Sequence, residues 1–353
     1  MAAIGILGIG VHLPPERRSN DWWPPEVVAR WAATPRLPPP ELPPDLTPAA
    51  RRIIDALKRQ ARDPFFGAVA RSVIAPDVSL TAMAAAAATE ALARAGIAPA
   101  DVDLVLMHAV GPEFLATNQA TAVHRALGLA TRCLALDVDA GAYSFLGHLA
   151  LAHGMIESGR ARVALLVQAG APTRLVDPHD ETAPYYGDCA TAVVVGPAAR
   201  GGLLAEVHET DGRYPNTHVV ATPEGPWYGA GRAALELRDR RGMNEVLLQT
   251  VDLSARVVGA ALAAARRSAA DVRFFAVHQP APWLRQLAAE ESGLAHAATV
   301  ETFADTGYIF SSILPVGLRR AQDQGLLAPG DLVVLFAGGT GMIYGAAVLE
   351  WSS

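Results

Sequence analysis

The chain has 353 residues, 51% of them hydrophobic and 18% charged, with a formal net charge of −6. That length supports a large core spread over two domain-sized halves, and the low charge fraction excludes a disordered chain. The acidic balance, with no Lys/Arg-rich stripe, excludes a nucleic-acid-binding protein. Two cysteines, Cys133 and Cys189, make no disulfide framework, and no Cys/His cluster has metal-ligand spacing. No signal peptide is read at the N-terminus, so a cytoplasmic setting is expected. No membrane association is expected either, since no apolar run reaches the ~18 residues of a bilayer span.

Residues 3–13 read as an apolar strand whose glycines, Gly5, Gly8 and Gly10, allow close packing. Their spacing is wrong for a phosphate loop, and Pro14-Pro15 stands where its helix would begin. Residues 19–50 hold Trp22, Trp23 and a proline-dense run over 35–48 in which no regular element is expected. A surface excursion is the simpler reading; a cap over a site, built on the tryptophans, is the other. A helix follows over 77–95, with Ser79 as its N-cap and Gly96 as its stop. Then come a strand over 101–110, a helix over 118–128 and a strand over 133–138. The last leads into a tight turn, Asp139-Ala140-Gly141-Ala142-Tyr143, followed by a helix over 146–159 and a strand over 162–170. A side chain on such a turn sits at the positive end of a helix dipole, where a thiolate or an oxyanion is favoured. Yet Ala142, at the apex, carries no chemistry.

The second half repeats this order. A helix spans 243–267, and the strand 271–278 echoes 101–108, pairing His278 with His108. A helix over 283–293 and a short strand over 299–303 follow. Gly307-Tyr308-Ile309-Phe310 then echoes Ala142-Tyr143-Ser144-Phe145, before a helix to 325 and a strand over 331–337. Strands alternating with helices imply parallel sheets, and two copies imply two stacked α/β halves, taken as 1–172 and 173–353. Strand ends of both halves then face one cleft.

Five segments now carry a resemblance. They are Ile4-Gly5-Ile6-Leu7-Gly8-Ile9-Gly10; the central turn with Asp137-Val138 and Phe145; Gly187-Asp188-Cys189-Ala190-Thr191-Ala192; Val277-His278-Gln279-Pro280-Ala281; and Ala337-Gly338-Gly339-Thr340-Gly341-Met342-Ile343-Tyr344-Gly345. In this order they resemble the thiolase-fold condensing enzymes, specifically the 3-ketoacyl-[acyl-carrier-protein] synthase III group. The resemblance implies an α/β thiolase fold, two pseudo-repeated halves with mixed sheets in a layered α-β-α-β-α arrangement.

It also implies a site. Members use a Cys–His–Asn trio, in which the Cys takes an acyl group from a thioester and the His and Asn polarise a second thioester during decarboxylation and condensation. Carried over, the Cys falls on Ala142, the His on His278 and the Asn on Tyr308. Asp305, in the same loop, is a candidate acidic partner for His278. Arg71, Phe310, Gly339 and Gly341 are the substrate-binding candidates. Ser144, two positions beyond the apex, is expected to face elsewhere, Cys133 and Cys189 are read as small core residues, and His108 as structural. Three readings of Ala142 stand open: an exchanged cysteine, a native alanine in a site without covalent catalysis, and the silent subunit of a heterodimer.

The expected activity is acyl transfer to an acceptor, in a specialised-metabolite pathway, with carbon–carbon condensation as the alternative. The donor is an acyl-CoA or an acyl-phosphopantetheine on an acyl carrier protein, and no bound cofactor is expected. A homodimer is expected, or a heterodimer with a paralogue, paired through the strand over 162–170.

Overall fold

A computed structural model describes residues 3–33, 45–339 and 341–352. The proline-rich excursion is therefore described in part, with 34–44 outside the described residues, as is Thr340.

Two sheets form the frame. The first has the order β1 (Ala3–His12), β7 (Cys189–Ala198), β6 (Ala164–Gly170), β4 (Leu104–Val110) and β5 (Leu134–Asp137). The second runs β12 (Val272–Val277), β13 (Leu332–Gly339), β14 (Ile343–Glu350) and β8 (Gly202–Thr210). Their pairing senses match. β4 is parallel to β6, β6 antiparallel to β7 and β7 antiparallel to β1. Likewise β12 is parallel to β13, β13 antiparallel to β14 and β14 antiparallel to β8. The fifth position of the second sheet shrinks to one parallel bridge between Phe274 and Ala298. The strand expected over 299–303 does not form. The Gln279 side chain takes the backbone groups a ladder would use, donating to the Val300 carbonyl and accepting from the Thr302 amide.

Nine helices are described: α1 (Pro25–Ala32), α2 (Pro48–Gln60), α3 (Leu80–Ala95), α4 (Gln119–Leu127), α5 (Ser144–Glu157), α6 (Arg240–Ala265), α7 (Leu284–Glu291), α8 (Phe303–Thr306) and α9 (Ile313–Asp323). Hydrophobic burial sorts them into layers. The central core joins Phe145, Leu146 and Leu149 of α5 and Leu314 and Leu318 of α9 to inward residues of both sheets. α3 and α4 cover the outer face of the first sheet, and α2, α6 and α7 that of the second. The α-β-α-β-α order is thus present. The division falls later than 172: β7 pairs inside the first sheet, so the sheets part between Ala198 and Gly202.

Local signals hold where a side chain closes a helix end. Ser79 accepts from the Ala82 amide, and Gly96 stops α3 at φ 64°. Asp137 receives the Gln119 and Ala120 amides at the start of α4. The glycines of β1 serve packing: a Cβ on Gly10 would lie 1.9 Å from the Ala87 carbonyl oxygen of α3. α6 is long and apolar enough to cross a membrane by length and composition, counter to the expected lack of such a run. It packs against β8, β13, β14 and α2, as a core helix does.

One expectation fails by location. β6 lies inside its sheet and is buried throughout, so it offers no surface for pairing; the sheet's edge strands are β1 and β5. The run expected to be irregular, 35–48, lies mostly outside the described residues, and regular helices flank it. α1 and α2 each begin on a proline, at the first helical turn, where the missing N–H costs nothing. Trp23 and Trp31 are buried together in a small core, and the Trp23 indole donates to the Pro178 carbonyl. Two small sheets complete the chain, β2 (Glu16–Ser19) with β3 (Ala70–Val73), and β9 (His218–Thr222) between β10 (Gly225–Pro226) and β11 (Ala234–Leu237).

Candidate active site

The central turn is a single 3-10 turn, Gly141–Tyr143, running directly into α5. The Ser144 hydroxyl fixes it, donating to the Gly141 carbonyl and accepting from the Ala140 amide. Ser144 is fully buried and committed to the backbone, so it offers no nucleophile. Ala142 sits at the middle of the turn in a buried cluster with Tyr186, Cys189, Phe303, Tyr308, Ile309 and Phe310.

His278 follows the end of β12, anchored by its amide to the Phe336 carbonyl. Its Nε2 lies 3.2 Å from the Tyr308 hydroxyl. Burial pulls the His278 pKa down to about 3, and pushes that of the Tyr308 phenol far above its ordinary value. At neutral pH the pair is therefore an uncharged imidazole and an intact phenol. Three carried-over positions thus share one buried site: Ala142 and Tyr308 in the cluster, His278 bonded to Tyr308.

Asp305 does not join them. Both its carboxylate oxygens receive the Arg320 guanidinium at 2.8 Å, on a half-exposed face at 47%. The fork with Arg320 uses the acidity expected for His278, and the histidine's partner is the phenol instead. Arg71 lies among the tryptophans. It is 1% exposed, donates to the Arg18 carbonyl and Asn20 Oδ1, and lies over the Trp23 ring at 4.9 Å. Burial lowers its pKa to about 10, and its guanidinium ties the tryptophan core to β2. Phe310 is in the site. Its backbone adopts φ 52°, and its ring stacks on His218 at 5.8 Å and Tyr186 at 6.2 Å. Gly339 packs beneath the turn, where a Cβ would lie 2.8 Å from the Ala140 carbonyl oxygen and 2.9 Å from Tyr143 Cβ. Gly341 has φ 76°, with open space around its missing Cβ.

The structure adds residues the motifs did not flag. Tyr185 packs on Tyr308 at 5.1 Å, and the Tyr186 hydroxyl pairs with His218 Nε2 at 2.9 Å. Burial holds His218 near pKa 4, hence neutral. Tyr185 and Tyr186 directly precede the Gly187-Asp188-Cys189 segment, a signal open to a reader of the sequence; His218 sits in no motif. Neither cysteine is activated, since burial raises Cys133 to about 11 and Cys189 to about 12.

Comparison with known proteins agrees with this fold. The family model for the 3-oxoacyl-[acyl-carrier-protein] synthase III C terminal matches residues 262–351, that for 3-oxoacyl-[acyl-carrier-protein] synthase III matches 136–212, and that for the thiolase N-terminal domain matches 61–171. The β-ketoacyl-[acyl-carrier-protein] synthase III of Rhodobacter capsulatus is 34% identical over 276 residues, 76% of this chain and 83% of that protein. The same-named protein of Rhodospirillum centenum is 33% identical over 81% of this chain and 88% of its own length. Among solved structures, the 3-oxoacyl-(acyl carrier protein) synthase III FabH of Pseudomonas aeruginosa superposes with a TM-score of 0.78 at 27% identity, over 99% of both chains. The priming β-ketosynthase of the R1128 polyketide pathway, at 23% identity and a TM-score of 0.80, shares the fold. The chain belongs to the 3-oxoacyl-[acyl-carrier-protein] synthase III family of acyl-transferring, thiolase-fold condensing enzymes.

Proposed function

We propose that this chain moves an acyl group from a CoA or carrier-protein thioester to a small-molecule acceptor, with no covalent intermediate at position 142. The observation that carries this reading is the neutral His278 beside Tyr308, in the cluster that contains Ala142. A methyl at the apex cannot take an acyl group. A neutral imidazole can take the proton of an incoming hydroxyl or amine as it attacks the thioester carbonyl, and the departing thiolate then recovers that proton. The Tyr308 hydroxyl supplies one donor to the carbonyl oxygen as charge develops on it, in the place of the family's asparagine. The phenol also narrows the pocket where a second thioester would lie, which favours transfer over condensation. This alanine site belongs to specialised rather than housekeeping acyl chemistry, in the cytoplasm.

A homodimer fits the edge strand β5, whose Leu134 and Leu136 are exposed. Such an edge invites pairing with a second copy, or with a cysteine-bearing paralogue if this chain is the silent member. The test is free-thiol release from acetyl-CoA and octanoyl-CoA, with and without a panel of alcohols and amines. Release beyond one equivalent per chain only with an acceptor supports transfer. Carbon dioxide from a malonyl thioester would put condensation in its place, and continued turnover without an acceptor, hydrolysis. Neither activity, with co-purification of a paralogue, would leave the silent subunit.

A further inference from the structure

The two halves of the chain each build the same turn before a central helix. In the first, Ala140 (φ −135°, ψ 30°) leads into Gly141 (φ 58°), Ala142, Tyr143 and α5. In the second, Ile309 (φ −115°, ψ 27°) leads into Phe310 (φ 52°), Ser311, Ser312 and α9. The backbone sets the register. Ala142 corresponds to Ser311, four residues beyond the Gly307 match that the sequence echo suggests. The second turn thus holds a hydroxyl at the place where the first holds a methyl.

The histidines are exchanged in the same way. His108 of β4, the repeat mate of His278, reaches across to the second turn, with Nδ1 2.7 Å from the Ser311 hydroxyl oxygen. Its Nε2 lies 3.4 Å from Asp139 Oδ1, and Asp139 is itself held in the first turn by the Gly141 amide at 2.7 Å. Burial lowers the His108 pKa and keeps the ring neutral. The exposed Asp139 carboxylate on the Nε2 side favours the tautomer with its one proton there, which leaves Nδ1 to accept from the serine. A hydroxyl, a neutral imidazole and an orienting carboxylate in series are the parts that activate a serine nucleophile. Ser311 is buried to nearly the same degree as Ala142, 3% against 4% exposed, and lies next in sequence to Phe310 of the site cluster.

We infer that Ser311, served by His108 and oriented through Asp139, is an acyl-accepting nucleophile of this chain, taking the role that position 142 does not fill. The substrate class is the acyl thioester, so the inference rests on reading this cleft as a thioester site. Ser311 Oγ attacks the carbonyl carbon and an O–acyl bond forms. The C–S bond breaks, and the hydroxyl proton passes to His108 Nδ1 and from there to the departing thiolate. The products are a seryl ester and a free thiol. The acceptor then attacks the ester carbonyl and gives its proton to His278; the bond between Ser311 Oγ and the acyl carbon breaks, and that proton returns to the serine oxygen.

The full-length chain is incubated with acetyl-CoA or octanoyl-CoA without acceptor, then analysed by intact and peptide mass spectrometry. One acyl mass is expected on the peptide that contains Ser311. It is expected to be lost in Ser311→Ala and to form on the order of 100-fold more slowly in His108→Gln, the scale of a lost general base. Ser311→Cys, a second variant that keeps a nucleophile, is expected to load as a thioester cleaved by neutral hydroxylamine. Thiol release with an acceptor, but with no acyl mass at Ser311 in the wild-type chain, overturns this inference and leaves the thioester reading standing. An acyl mass on Ser144, Cys133 or Cys189 instead overturns it as well. No thiol release, together with no thermal shift on adding acyl-CoA, overturns both.

Discussion

The two turns share a backbone and differ in what each asks of its residues. The first places Gly141 at positive φ, where a missing Cβ makes the conformation free, and follows it with an inert alanine. The second places Phe310 there, where an L side chain costs ~1–2 kcal/mol. It recovers that cost by stacking the ring on both His218 and Tyr186 and follows it with a serine hydrogen-bonded to a histidine. Strain is kept where it holds a side chain in place. The contrast teaches that the half of the site richest in family signal is not the half with the most chemistry. Gly141 and Phe145 carry the family motif around an inert Ala142; Phe310, Ser311 and His108 supply the side chains of the second turn.

The comparison is tested most severely by His278→Ala. Acceptor-dependent thiol release is expected to fall 10²- to 10⁴-fold, the range of a lost general base. Unchanged release would move the base to the second turn and its His108. Ala142→Cys comes next. It places a thiol at a helix N-terminus in the site of His278, and a thioester adduct at position 142 is expected by mass spectrometry. Failure of that variant to load, while the chain still folds, would mean that Tyr308 has closed the first turn to thioesters.

The fold was legible because its signals are local and repeated. Ser79, Gly96, Asn118 and Gly128 bound their helices by capping, which needs only neighbours in sequence. The His-Gln and Gly-Gly-Thr-Gly segments marked the strand ends of the second half. What stayed hidden depends on contacts between distant residues. Nothing near Asp305 in sequence shows that Arg320 will take its carboxylate, nor does the sequence around Arg71 show that Trp23 will cover it. The proline count obscured α1 and α2 because a proline breaks a helix inside it but starts one at its first turn. The register between the turns was misread because the aromatic echo of Tyr308 and Phe310 is stronger in letters than the small-residue match that the backbone follows.

A smaller effect is expected from Gly339→Ala. The added Cβ would press on the Ala140 carbonyl and on Tyr143, beneath the first turn only. Overpacking of this kind costs ~1–3 kcal/mol. Urea unfolding should show that loss, and acyl loading at Ser311 should be reduced far less than any loading at position 142 in the Ala142→Cys background. Equal losses would mean that the two turns move as one unit and that the contrast between them is not functional.

The smallest effect concerns acidity. His278, His218 and His148 have folded pKa values near 3, 4 and 4, all set first by burial and all below the ordinary 6.5. Below pH 6.5 the unfolded chain binds protons that the folded chain refuses, so their contribution to stability, complete above 6.5, is lost as pH falls toward 4 and 3. Each contributes a slope of ~1.4 kcal/mol per pH unit within its window. Of the three, His218 serves the second turn, stacked on Phe310 and bonded to Tyr186. His218→Gln keeps an amide partner for the Tyr186 hydroxyl and removes the titration. Urea midpoints between pH 7 and 5 should then fall less steeply, by about one proton's share. An unchanged slope would show that His218 is already hydrated and that the stack on Phe310 is too open to hold the second turn in its strained shape.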